Sequence, residues 1–182
     1  MTTFLLWVLG ASGVWLTATA LWSIVVPERR LWPPPSPDLN RVQRIGGVLG
    51  PGTNFVLLAV NLFGWGSLGL AGPLRFPIGG VLFAAGAYLS LGGVFNLGMP
   101  QTQGGEGALV AKGPYRFSRN PQYVGAVLSY VAVALLCNSS EGLLGAAMMT
   151  PWLLLPFAEE PWLREKLGKP YEDYAAGVRR YL

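Results

Sequence analysis

Long stretches of this chain carry no charged side chain, and that leaves few folds open. Residues 3–26, 45–70, 76–97, 121–138 and 143–158 contain no Asp, Glu, Lys or Arg. Inside a bilayer the backbone must satisfy its own hydrogen bonds, so such runs span as helices or as strands of a closed barrel. These runs are too long for barrel strands; at 1.5 Å per residue the first makes a helix of about 36 Å, enough to cross with some tilt. Only 12% of the 182 residues are charged, against about a quarter in soluble domains. The expected fold is all-α, an integral membrane protein with about five transmembrane helices.

The connections are where the polar residues collect. Pro27 ends the first run, and residues 27–44 form a loop with Glu28, Arg29, Arg30, Asp38, Arg41 and Arg44 and a proline cluster at 33–37, expected to be a stiff spacer. Trp22 and Trp32 bracket this edge as interfacial aromatics do. Pro51-Gly52 predicts a kink or a late start for the second helix, on which Asn54 and Asn61 share a face and favour interhelical hydrogen bonding. In the third run Gly79, Gly86 and Gly93 recur every seven residues, a side-chain-free stripe suited to close helix packing. A short turn at 138–142 joins the fourth and fifth runs into a C-terminal helical hairpin, the fifth bent by Pro151 and Pro156. In the tail, Leu167, Tyr171, Tyr174, Val178 and Tyr181 fall on one helix face, split by Gly168 and Pro170, which reads as an amphipathic segment lying at the membrane interface. The division is into residues 1–75, two helices with their loop, and residues 76–182, the functional core.

Composition excludes several chemistries. The chain has no histidine and one cysteine, Cys137, so no histidine base, triad, disulfide or ordinary zinc site is expected, and no metal. The net charge of +4 follows membrane topology and needs no nucleic-acid partner. With five helices, one side holds four, three and five Lys or Arg in residues 27–44, 98–120 and the tail, and the other side holds Arg75 alone. That asymmetry puts the N-terminus outside and the polar clusters facing the cytoplasm; the expected setting is a prokaryotic inner membrane. The first run lacks the basic start and small-residue cleavage site of a signal peptide and is expected to be retained.

Two polar clusters remain. One is Gly113-Pro114-Tyr115-Arg116-Phe117-Ser118-Arg119-Asn120-Pro121-Gln122-Tyr123-Val124-Gly125, polar and basic, which opens a helix: Asn120 can cap it and Pro121 suits its first position. The other is Glu159-Glu160, where the fifth run ends. Alone, the acidic pair is a solvated helix start, and the glycines of Gly104-Gly105-Glu106-Gly107 are weak grounds for phosphate binding.

Taken in order, Leu109-Val110, Gly113-Pro114-Tyr115-Arg116, Arg119-Asn120-Pro121-Gln122-Tyr123-Val124-Gly125, Glu159-Glu160, Leu163, Leu167-Gly168, Tyr171, Tyr174 and Val178-Arg179-Arg180 resemble the membrane methyltransferases related to isoprenylcysteine carboxyl methyltransferase and phosphatidylethanolamine N-methyltransferase. The resemblance covers roughly the last eighty residues. It implies S-adenosylmethionine as methyl donor, held by Gln101, Leu109, Val110, Gly113, Tyr115, Arg119, Asn120, Pro121, Gln122, Tyr123 and Glu159, with Tyr123, Glu159 and Glu160 as the catalytic candidates. The carboxyl methyltransferases usually have histidine at the position of Asn120 and an arginine before the acidic pair, where this chain has Leu155; no basic residue lies between 120 and 163. A buried carboxylate substrate would lack a cation from this helix, so a lipophilic acceptor with an amine or thiol is expected, reached through the lipid bilayer. The alternatives are an NADPH-dependent membrane reductase of related helical fold and a non-catalytic scaffold.

Overall fold

A computed structural model describes residues 1–34, 41–70, 72–105 and 107–182, with side chains described throughout these except at 41–51. Most of the proline spacer, Asp38, the side chains of Arg41 and Arg44, and Glu106 therefore lie outside the described residues. The described chain is helical: α1 (Thr2–Val25), α2 (Arg41–Phe63), α3 (Arg75–Leu97), a one-turn α4 (Met99–Thr102), α5 (Pro121–Cys137), α6 (Ser140–Met148), α7 (Leu155–Leu167) and α8 (Lys169–Gly177).

Among the described residues, three segments are long and apolar enough to cross a membrane: α1, α3 and the rod Ser140–Leu167 made of α6, a 3-10 turn and α7. Shorter apolar helices cover Gly52–Phe63 and Pro121–Cys137. Three boundaries differ from expectation. Helix α2 starts at Arg41 and runs through Pro51-Gly52 instead of starting late, and it stops at Phe63. The last rod does not leave helix at 158; α7 carries Glu159-Glu160 in its interior and ends at Leu167 before Gly168, whose φ is +58°. The 3-10 turn Thr150–Leu154 carries Pro151 at its second position, and Pro156 sits in the first turn of α7; a proline lacks the N–H the α ladder needs, so the rod changes pitch where they fall.

The glycine stripe sets the tightest helix pair. A Cβ at Gly79 would lie 2.8 Å from Leu136, one at Gly86 2.5 Å from Ser129 Oγ and 2.9 Å from the carbonyl of Gly125, and one at Gly93 2.6 Å from Gln122. All four partners belong to α5, so the missing side chains are what brings α3 against it. Gly86→Val should force the two helices apart at a cost of about 1–3 kcal/mol, whereas Gly80→Val, with nothing within 4 Å, should be neutral. Thermal melting of the two detergent-solubilised variants checks this; equal midpoints would refute the packing.

On the other side of α5, Leu9, Leu57, Val60 and Met149 form a buried cluster between α1, α2 and the last rod, flanked by Tyr130 and Trp152. Tyr130 donates to Asn54 at 3.0 Å, an interhelical bond as expected, while Asn61 turns back to donate to Leu57 of its own helix at 2.8 Å. Helix α5 ends at Asn138 in the left-handed region, and Ser139 caps α6 by accepting from Gly142 N–H at 2.9 Å. The hairpin this makes turns α7 back along α5, so the two polar clusters meet.

Candidate active site

The first turn of α5 is built by its neighbours more than by its own cap. Ser118 Oγ, fully buried, accepts from the backbone N–H of Asn120 at 3.1 Å, and Pro121 occupies the first helical position. Asn120 stands at the cap position but makes no capping bond. Its amide Nδ2 donates to Glu160 Oε1 and to the carbonyl of Arg180, each at 3.1 Å. A buried carboxylate needs donors more than a helix end needs one more acceptor, and that decides where the amide goes.

The two glutamates of α7 have opposite surroundings, because consecutive helical residues point about 100° apart. Glu160 is 1% exposed and fully paired. Arg180 grips it bidentately, Nε to Oε1 and Nη2 to Oε2 at 2.9 Å each, and Arg119 Nη2 stands 3.5 Å from Oε2. The Arg180 guanidinium also lies 4.1 Å from the ring centre of Phe157. Three further bonds tie the tail down: Arg119 N–H to the carbonyl of Arg179 at 2.9 Å, Ser118 Oγ to that of Arg180 at 3.3 Å, and Tyr181 to that of Leu153. Glu160 thus belongs to a clasp that holds the C-terminal tail.

Glu159 turns to the other side. Its Oε1 accepts from the Tyr123 hydroxyl and from the indole Nε1 of Trp32, which lies 3.1 Å from the Tyr123 oxygen as well. Both donors are neutral. Among the described residues no cation pairs with Glu159, so its carboxylate is positioned without being neutralised.

Glu159 opens onto a cleft of about 100 Å³. Arg119, Asn120, Gln122 and Tyr123 line it from the start of α5; Gln101, Leu109, Val110 and Tyr115 from the preceding loop; Trp162, Leu163 and Leu167 from α7; and Tyr171 and Tyr174 from α8. Gln122 Nε2 donates to Thr102 Oγ1 at 3.1 Å and to the Tyr115 hydroxyl at 3.0 Å, and Gln101 donates to the carbonyl of Ala108 at 3.0 Å, which fixes the loop. Arg119 Nε is buried and has no hydrogen-bond partner among the described residues.

The tail differs from a plain interfacial helix. Its aromatic face packs on protein: Tyr171 is buried, and Tyr174 donates to the carbonyl of Tyr115 at 2.7 Å. Burial pushes the Tyr174 hydroxyl up to about 12 and raises Tyr115 and Tyr171 as well. All three stay protonated at neutral pH; Tyr174 donates, while the Tyr115 hydroxyl accepts from Gln122.

Of the expected site residues, Gln101, Leu109, Val110, Tyr115, Arg119, Asn120, Gln122, Tyr123 and Glu159 converge on the cleft. Three do not line it: Glu160 faces the clasp, Pro121 is buried beneath the helix start, and Gly113, at φ +58°, packs on Asn96. Of the glycines at 104–107, Gly104 and Gly105 also line the cleft, and a Cβ at Gly104 would meet Pro34 at 2.5 Å. Sequence reasoning missed Trp32, taken as an interfacial aromatic, and Arg180 as the partner of Glu160. It also missed Trp152, which stacks on Tyr123 with ring centres 5.9 Å apart. Nothing in the spacing of these residues marks them; only the distant contact does.

Two comparisons bear on this arrangement. The model of a family described as phospholipid methyltransferase matches residues 74–170, just over half of the chain. Phosphatidyl-N-methylethanolamine N-methyltransferase of Emericella nidulans is 30% identical over 116 residues, covering 59% of this chain and 57% of that protein. The match thus spans little more than half the length of this relative. No solved structure matches significantly.

Proposed function

The chain belongs to the phospholipid methyltransferase family, and on that premise we propose that it transfers a methyl group from S-adenosylmethionine to the amine of a membrane lipid, at the cleft between α5 and α7. The observation that carries this is the difference between two adjacent carboxylates. Glu160 is paired with arginines, whereas Glu159 is held at the cleft by neutral donors alone, so that among the described residues no counter-charge competes with a cationic ligand.

The residues fit the proposed cofactor. Beside the cleft Arg119 carries a buried Nε with no partner among the described residues, suited to a carboxylate; Glu159 suits an amine or ribose hydroxyl; and Tyr115, Tyr123 and Trp162 offer aromatic surface to a cation. S-adenosylmethionine, when bound, supplies a methyl group already activated on sulfonium. The chain's own residues then have to bind, orient and exclude water. Both neutral donors fall on Oε1 of Glu159, which leaves Oε2 as the oxygen for a ligand. An amine arriving uncharged needs no strong base, in keeping with a chain that has no histidine. The product proton leaves to Glu159 or to water. Tyr123 donates to Glu159 and so serves to position it.

The acceptor side follows from charge. Arg119 is the one cation among the described residues lining the cleft, and it already faces Glu160. A carboxylate acceptor would find no further cation, and neither would the extra phosphate of NADPH. We infer an amine headgroup entering from the bilayer, five spans with the N-terminus outside, and a cleft open to the cytoplasm, supported by the asymmetry of Lys and Arg among the loops. The purified protein in vesicles containing phosphatidylethanolamine and its mono- and dimethyl forms, with labelled S-adenosylmethionine, should label at least one of these lipids. With a carboxylate lipid and a thiol lipid included in the same vesicles, labelling of either in place of the amines, or of no lipid, would overturn the reading.

A further inference from the structure

We infer that Trp32 is a positioning residue for the cofactor site, so that the segment after α1, which lies outside the matched family region 74–170, completes the site. The inference rests on the cofactor reading given above and adds a residue to it.

The segment is built to deliver that indole. Ser23, on the last turn of α1 and 2% exposed, donates to the carbonyl of Thr19 at 2.7 Å. It accepts at 3.0 Å from the backbone N–H groups of both Leu31 and Trp32. Arg30 Nε donates to the carbonyl of Pro33 at 3.0 Å, and its guanidinium stands 5.9 Å from the ring centre of Trp162 on α7. Pro33 is fully buried and lines the cleft. The strap is thus fixed to α1 at one end and seated on α7 and the loop at Gly104 at the other.

From that seat the indole N–H reaches Glu159 Oε1 and the Tyr123 oxygen together. An indole N–H can donate but not accept and carries no charge. It therefore orients the carboxylate and displaces water without spending the charge a cationic ligand needs. A lysine or arginine there would neutralise Glu159, as Arg180 neutralises Glu160. Removing the donor leaves Glu159 with Tyr123 alone and admits a disordered water in its place.

Calorimetric titration of the full-length protein in detergent with S-adenosylmethionine tests this. Trp32→Phe keeps an aromatic ring and removes the N–H; its dissociation constant should rise about tenfold, the scale of one hydrogen bond to a charged group, with little change in melting temperature. In the double variant with Glu159→Gln the two effects should fall short of additive, because both act on one carboxylate. Ser23→Ala, which frees the strap without touching the cleft, should raise the constant about threefold, on the scale of one neutral hydrogen bond, and serves if Trp32→Phe does not fold. Wild-type affinity in Trp32→Phe, or in Ser23→Ala where that variant is used, or full additivity with Glu159→Gln, overturns the role of Trp32 and leaves the cofactor reading intact. Failure of the wild type itself to bind overturns both.

Discussion

Glu159→Gln should weaken S-adenosylmethionine binding by roughly ten- to a hundredfold, the range expected when a hydrogen-bonding partner in a dry site loses its charge. Methyl transfer should fall at least as far. The substitution keeps shape and volume, and the amide oxygen can still accept from Trp32 and Tyr123, so the melting temperature should move little. That combination separates a ligand-facing carboxylate from a structural one. Calorimetry and thermal melting on one preparation decide it: unchanged affinity would remove Glu159 from the site, and a large loss of stability would make it a second structural acid.

Glu160→Ala should do the reverse. The side chain is 1% exposed and shared by Arg180, Arg119 and Asn120. Removing it leaves Arg119, 11% exposed, with no counter-charge. Arg180 is more exposed and can turn partly toward water, which softens the effect. Breaking a buried pair from one side costs about 3–5 kcal/mol, and the lower end applies here. On a chain of this size that is on the order of 10 °C in melting temperature. Adding Arg180→Ala should recover part of the loss, because it withdraws one stranded charge. The clasp also predicts that deleting residues 180–182 loosens the tail from α5, seen as faster proteolysis after Lys169. A Glu160→Ala protein as stable as the wild type would show that the clasp contributes nothing.

The pairing of these outcomes matters because the sequence presents the two acids as equivalents. Glu159 and Glu160 are adjacent, both at the end of an apolar run, and both matched the same motif. Their separation into a ligand-facing acid and a tail anchor depends on which neighbours the helix turn hands to each. Asn120 shows the same limit. Its position before Pro121 foretold a cap, and it holds the cap position, but its amide is drawn to Glu160, forty residues away. A local preference of about 1 kcal/mol yields to a buried carboxylate.

The sequence by itself determined the all-helical class, most helix positions, and which ends carry polar chemistry. These follow from hydropathy, proline and glycine, which act within a few residues and need no partner. The glycine stripe of α3 was legible for the same reason, since a repeat of seven fixes one face of any helix. Only the tertiary structure decided that Trp32 reaches Glu159 from 127 residues away, that Arg180 neutralises Glu160, and that the tail's aromatic face covers protein. Hydrogen bonds and ion pairs carry no periodic trace along the chain. Their partners are chosen by the packing of α1, α5 and α7, and by the rule that a buried charge takes whatever donors that packing brings within reach.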